Sequence, residues 1–176
     1  MTVICDSTVG TPFLHRVLKH DDAAQRPDYV IHSYTKDLTG NGSTTAGVLI
    51  GKNETMFLPK GETYTYNDFN GNKKSVSWDD TLFWNVYFIK GAFLDSEKAF
   101  DVIEGMRTLE LRMIRKCINT IVLSNVLHSH PDIHVHSCAV KDNINYHLMK
   151  KIMHLELPAP LFTIDFEKNS CDKTNI

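Results

Sequence analysis

Short apolar runs and helically spaced apolar positions alternate along the first third of the chain. Residues 2–5 are apolar or β-branched and stop at Asp6, which predicts a buried strand running out into the polar, flexible loop 7–12. Phe13, Leu14, Val17 and Leu18 fall at helical spacing and predict a helix over 13–20, followed by a polar connector at 21–27. Residues 29–32 read as a second buried strand, and its end runs into Ser33-Tyr-Thr35-Lys36. The order is strand, helix, strand, with both strands ending in polar residues. In open α/β sheets, ligands collect outside such carboxyl ends.

A glycine-bearing loop covers 37–45 and a third apolar strand 46–51. Residues 52–80 lack clear periodicity and read as loop, with a hairpin at Asn70-Gly71. The aromatic run of Trp78, Phe83, Trp84, Tyr87, Phe88 and Phe93 predicts a buried helix or an inter-subunit surface. Ser96 is placed to cap a helix that carries Ala99, Phe100, Val102, Ile103 and Met106 on one side. After a break near Gly105, residues 109–127 form a long amphipathic pattern that His130-Pro131 stops. A strand over 133–140, a short helix over 145–154 and an alternating strand over 161–166 complete the pattern, with a polar, frayed tail from 167.

The chain has 176 residues, 42% hydrophobic and 23% charged, an ordinary globular profile for one domain or a large part of one. With 19 basic and 21 acidic residues and neither sign in blocks, phosphate-backbone binding is not its main business. The expected partner is a small molecule, with no nucleic acid and no membrane. No apolar stretch is long and unbroken enough to cross a bilayer, and residues 1–6 lack the features of a secretory signal, so cytoplasm is the default location. Cys5, Cys117, Cys138 and Cys171 show no paired spacing and read as reduced thiols.

Asp6 and Lys36 carry the candidate chemistry. A lone lysine on a loop is ordinarily solvated surface. Lys36 differs in following a buried strand, in being preceded by the hydroxyls of Ser33 and Thr35, and in having an acid at the mouth of a neighbouring strand. A lysine amine in a partly desolvated cleft can lose its proton near neutrality and form a Schiff base with a carbonyl compound. Pyridoxal phosphate needs such a lysine, a carboxylate for its ring nitrogen, and hydroxyl and backbone donors for its phosphate. His134, His136 and Cys138 alternate onto one side of a strand, but no further ligand is spaced to finish a metal site, so none is expected.

Two blocks carry a family resemblance: Ile4-Cys-Asp6-Ser-Thr8-Val-Gly-Thr-Pro12, and Val30-Ile-His-Ser33-Tyr-Thr35-Lys36 followed by the glycine loop through Gly47. Together with Gly91-Ala-Phe-Leu-Asp95 and the stretch from Gly105 to Arg112-Met, they resemble the pyridoxal-phosphate enzymes of Cys and Met metabolism. That group comprises cystathionine γ-synthases, cystathionine lyases and O-acylhomoserine sulfhydrylases. The resemblance implies an α/β chain of pyridoxal-phosphate fold type I, aspartate aminotransferase-like. It would hold part of the large domain over 1–108, a connecting helix over 109–127 and the start of a small α+β domain over 128–176. It implies that Lys36 binds the cofactor covalently and shuttles protons as the catalytic residue, and that Asp6 pairs with the pyridinium nitrogen. Ser33 and Thr35 would bond the phosphate. Thr8, on the same side as Asp6 if the chain stays extended, would pack under the ring.

The implied reaction is γ-replacement on an activated homoserine, giving cystathionine or homocysteine. The alternatives are elimination from cystathionine or methionine, and a truncated, inactive remnant. In family members the equivalent lysine lies near the middle of a chain roughly twice as long. The resemblance therefore also implies a large piece before Met1, for which a partner polypeptide is one source among those the sequence leaves open, and a homo-oligomer in the intact family. The arginine that grips a substrate carboxylate in relatives has no nominee here, and the connector 21–27 is several residues longer than its family counterpart.

Overall fold

The computed structural model describes residues 1–52, 63–77 and 83–166. Three of the predicted strands form one sheet: β1 (Ile4–Asp6), β2 (Tyr29–Ser33) and β3 (Gly47–Gly51), in the order β1-β2-β3. β1 runs parallel to β2 with Asp6 opposite Ile31, and β3 runs antiparallel with Leu49 opposite Ile31. Neighbours across a ladder point to the same side, and successive residues alternate. Val30 and His32 therefore lie on a covered face, 0% and 3% exposed, while Ile31 on the other face is 38% exposed. Asp6 shares the open face with Ile31.

The predicted helix over 13–20 is not continuous. It becomes α1 (Thr11–Leu14) and a separate 3-10 turn, Val17–Lys19. His15 breaks it by adopting an extended backbone, φ −115° and ψ 90°, with its Nδ1 3.3 Å from the Ser7 hydroxyl. One turn suffices to bury Leu14 fully against Met113 and Cys117, which leaves Leu18 exposed.

The hairpin anticipated at Asn70-Gly71 joins β4 (Thr63–Asn67) to β5 (Lys73–Ser77), its turn held by Asp68 accepting from the amides of Asn70 and Asn72. The prediction for Trp78 lies outside the described residues. Phe83–Ile89 forms a wide helical segment in which Trp84 stacks on Phe88 at 4.7 Å. Phe88 and Phe93 are mostly exposed, so the aromatic run is not core within the chain.

α2 (Ser96–Met106) begins one residue beyond its true cap: Asp95, rather than Ser96, accepts from the Lys98 amide at 3.0 Å. Of its predicted apolar side only Val102 is buried. α3 (Leu109–His128) buries a stripe of Met113, Cys117, Thr120 and Ser124. Met113 and Cys117 join Leu14 in a core flanked by Phe13, Leu109, Met153 and Leu157. The predicted flank at Leu111, Ile118 and Val122 faces outward.

β6 (Ile133–His136) pairs antiparallel with β7 (Thr163–Phe166) in a second, two-stranded sheet, and α4 (Tyr146–Ile152) lies between them in sequence. The strand predicted over 133–140 stops at His136 because the chain then turns, Val140 donating to the Ser137 carbonyl. Among the described residues, no helix is long and apolar enough to cross a membrane.

Candidate active site

The carboxyl ends of β1 and β2 meet through Thr8. Its amide donates to Asp6 Oδ1 at 2.9 Å, and its hydroxyl oxygen accepts from the Ser33 amide at 3.0 Å. The Thr8 hydroxyl, followed by the Thr8 amide and nearby His32, holds the Asp6 carboxyl below the usual range, against a small opposing effect of burial. Asp6 is thus an anion at neutral pH, standing exposed beyond a strand end. Thr8 does not continue the strand: β1 stops at Asp6 and the chain turns. The premise that an extended chain aims Thr8 along Asp6 is corrected, and the hydroxyl instead braces Asp6 against β2.

Lys36 follows β2 in a wide turn, Tyr34–Leu38, where i→i+5 bonding (Thr39 amide to Tyr34 carbonyl, 3.2 Å) replaces the loop expected from the sequence. Lys36 itself has a non-helical backbone, φ −93° and ψ −132°, and is exposed. Among the described residues its amine has no hydrogen-bond or ion-pair partner recorded, nor has the Ser33 hydroxyl. Thr35 is different: its hydroxyl donates to the Ala46 carbonyl at 3.3 Å and accepts from the Ala46 amide at 3.1 Å, which ties β2's end to β3's start.

The rear of the turn rests on α2 and α3. Arg112 and Lys116 both reach Asp37, the first its carbonyl and the second its carboxylate. The Cys117 thiol behind them is pushed up to about 11 by burial, with the Asp37 carboxylate adding to the rise, so it stays a protonated hydrophobe at neutral pH. Gly40, at φ +76°, and Gly105 allow two close approaches: a Cβ on Gly40 would lie 2.2 Å from Arg112 Nη1, and one on Gly105 2.1 Å from the Thr39 carbonyl oxygen.

Three of the five predicted residues, Asp6, Thr8 and Ser33, form one hydrogen-bonded group, whereas Thr35 bonds Ala46 instead. Lys36 lies on the adjoining turn. Sequence reasoning missed Arg112 and Lys116 as supports of that turn; the Gly40 and Gly105 pair was the available signal. His136 bonds Asp165 at 2.7 Å and His128 bonds Asp142 at 3.2 Å, and no group of metal-ligating residues assembles among the described residues.

Parallel strand ends that present a braced anion, with a lysine on the turn that follows, form an α/β site at the carboxyl edge of a sheet, where ligands collect in this fold class. The model of the Cys/Met metabolism PLP-dependent enzyme family matches residues 1–174, and the chain belongs to that family. It is 32% identical over 163 residues to an L-methionine γ-lyase of Treponema denticola, covering 92% of this chain and 34% of that one. It is 27% identical to an O-acetyl-L-homoserine sulfhydrylase of Leptospira meyeri, covering 85% and 36%. A solved structure of a putative O-acetylhomoserine (thiol)-lyase from Campylobacter jejuni, carrying a pyridoxyl-lysine phosphate, superposes with TM-score 0.71 at 23% identity, covering 98% and 44%. These likenesses fix the fold as pyridoxal-phosphate fold type I, present here in part. The chain spans about a third of the length of the curated relatives it matches.

The residues present fit the cofactor. A carboxylate held anionic matches a protonated ring nitrogen, a primary amine stands ready for an aldehyde, and Ser33 offers a free hydroxyl to a phosphate.

Proposed function

We propose that this chain carries the lysine-and-acid part of the pyridoxal-phosphate site in an enzyme acting at the γ-carbon of a sulfur-related amino acid, with elimination from a methionine-like substrate as the reaction. The observation that carries the cofactor reading is the anionic Asp6 at one strand end, bonded through Thr8 to the neighbouring strand whose next residues are Ser33 to Lys36. The greater identity to the γ-lyase supports elimination. γ-Replacement on an activated homoserine, which the resemblance implies first, is the second reading, and the sulfhydrylase match supports it.

When bound, the cofactor supplies an aldehyde and an electron sink for a carbanion. Lys36 would hold that group covalently through its side-chain amine. Asp6 would pair with the ring nitrogen and keep it protonated, which favours negative charge developing on the substrate. Ser33 would donate its hydroxyl proton to a phosphate oxygen, and Thr35 could do so only after turning its own proton away from the Ala46 carbonyl. With its amine free, Lys36 would take the substrate's Cα proton and return protons to carbons that become negative. The net elimination consumes one water and releases a thiol, an α-keto acid and ammonia. The remaining contacts come from the rest of the family fold, as part of this chain's protein or on a partner polypeptide, in a homo-oligomer. Free thiols at Cys5, Cys117 and Cys138 support a reducing, cytoplasmic location.

The test mixes the purified chain with pyridoxal phosphate, reduces with borohydride and maps the modified lysine by mass spectrometry. A pyridoxyl group concentrated on Lys36, and lost in Lys36→Arg, is the expected result. Even labelling across surface lysines would reject the reading and leave an inactive remnant.

A further inference from the structure

We propose that Arg112 is a positioning residue for Lys36: it grips the backbone immediately after the lysine and so sets where the amine points. The proposal rests on Lys36 being the lysine that takes the cofactor. Three donors of one guanidinium are used, and all three acceptors are neutral. Nη1 donates to the Asp37 carbonyl at 2.7 Å, Nη2 to the Gly105 carbonyl at 2.7 Å, and Nε to the Thr108 hydroxyl at 3.0 Å. The nearby carboxylate of Asp37 is taken by Lys116 instead. A surface arginine that merely balanced charge would seek that carboxylate. Here the planar fork spans the end of α2 and the lysine turn, a geometry an ammonium group does not reproduce.

The surrounding chain is shaped for this fork. Gly40 sits where any Cβ would overlap the guanidinium, the Arg112 carbon Cζ being 2.4 Å from that point. Gly105 likewise lets Thr39's backbone lie against α2. On the other side of Lys36, the Tyr34 amide donates to the Ala46 carbonyl at 2.9 Å, and Thr35 bonds Ala46 through its side chain. Lys36 is therefore suspended between two anchors: Ala46, just ahead of β3, holding the residues before it, and α3 holding Asp37 after it. The turn's own amides, Thr39 to Tyr34 and Gly40 to Lys36 at 2.9 Å, close only while both anchors hold.

The experiment compares full-length wild type, Arg112→Ala and the milder Thr108→Val, which keeps the guanidinium and removes its Nε acceptor. Two quantities are read: amide hydrogen exchange at Thr39 and Gly40, and the rate of borohydride-trapped pyridoxal phosphate attachment at Lys36. In Arg112→Ala both should change about tenfold, exchange faster and attachment slower, while the Ser7 amide bonded to Ile31 in the sheet stays protected. Added guanidinium ion should restore part of each, and ammonium at equal ionic strength neither. Thr108→Val should move both in the same direction by less, which keeps the test decisive if Arg112→Ala does not fold. Unchanged Thr39 and Gly40 exchange in the folded variants, or wild-type attachment rates despite faster exchange, would overturn the proposal. If wild-type Lys36 takes up no cofactor, the cofactor reading fails on its own; exchange, with the rate of reductive methylation of Lys36 by formaldehyde, then still decides whether Arg112 positions it.

Discussion

Asp6 owes its charge to Thr8 more than to any cation, since the Thr8 hydroxyl and amide are the main stabilisers of its ionised form. Asp6→Asn keeps the shape and removes the charge; α-proton exchange of L-methionine in deuterated water by the complete enzyme should slow about 10²-fold, or about 3 kcal/mol. His32 behaves oppositely. Buried, it donates Nδ1–H to the Ser7 carbonyl at 3.1 Å, and burial outweighs that bond and Asp6 to pull its pKa below the ordinary 6.5. His15 is lowered by burial as well. The unfolded chain therefore binds more protons than the folded one near and below 6.5, so stability is fully present above that pH and falls as the solution is acidified through it. Thermal melting should drop between about pH 7 and 5, and His32→Gln should flatten the drop. The strand-end placement of Asp6 and Ser33 was legible in the sequence because each sits where an apolar run ends, and Lys36 follows three residues past Ser33. Thr8's bracing role was not, because an extended period cannot report the turn that begins after Asp6.

The two strands that carry the site were read within a residue or two, since short β-branched runs bounded by polar residues leave little choice. The helix over 13–20 was misread because its period continues past His15, whereas burial needs only Leu14. Long-range support left little trace beyond the Gly40 and Gly105 pair: Arg112 and Asp37 lie 75 positions apart, and a bond to a backbone carbonyl leaves no mark on the acceptor's side chain. Gly105 offers a prediction whose sign decides. In an ordinary helix Gly→Ala stabilises by about 1 kcal/mol. Here the new Cβ would lie 2.1 Å from the Thr39 carbonyl oxygen and 2.6 Å from its Cα, both backbone. Gly105→Ala should therefore destabilise by about 1–3 kcal/mol in denaturant titration, and a stabilised variant would mean that α2 does not pack on the lysine turn.

At the scale of the whole molecule, the open face of the first sheet and the outer flank of α3 leave Ile4, Ile31, Leu111, Val122 and Val126 exposed. Apolar surface of this kind is normally covered in a working protein. The chain alone should sediment and scatter light as an assembly larger than one copy; a sharply melting monomer would contradict that. Fold class and family were legible because the site and its scaffold share one short region. The reaction was not, since the chain covers about a third of the length of its relatives. The proposed site requires above all that Asp6 and Lys36 meet the two ends of a single aromatic ring. Nitrogen-15 NMR of ring-labelled pyridoxal phosphate, attached to Lys36 and fixed by reduction, measures this directly. A protonated ring nitrogen at neutral pH in wild type that becomes unprotonated in Asp6→Asn is the result predicted; identical spectra from the two proteins would contradict it.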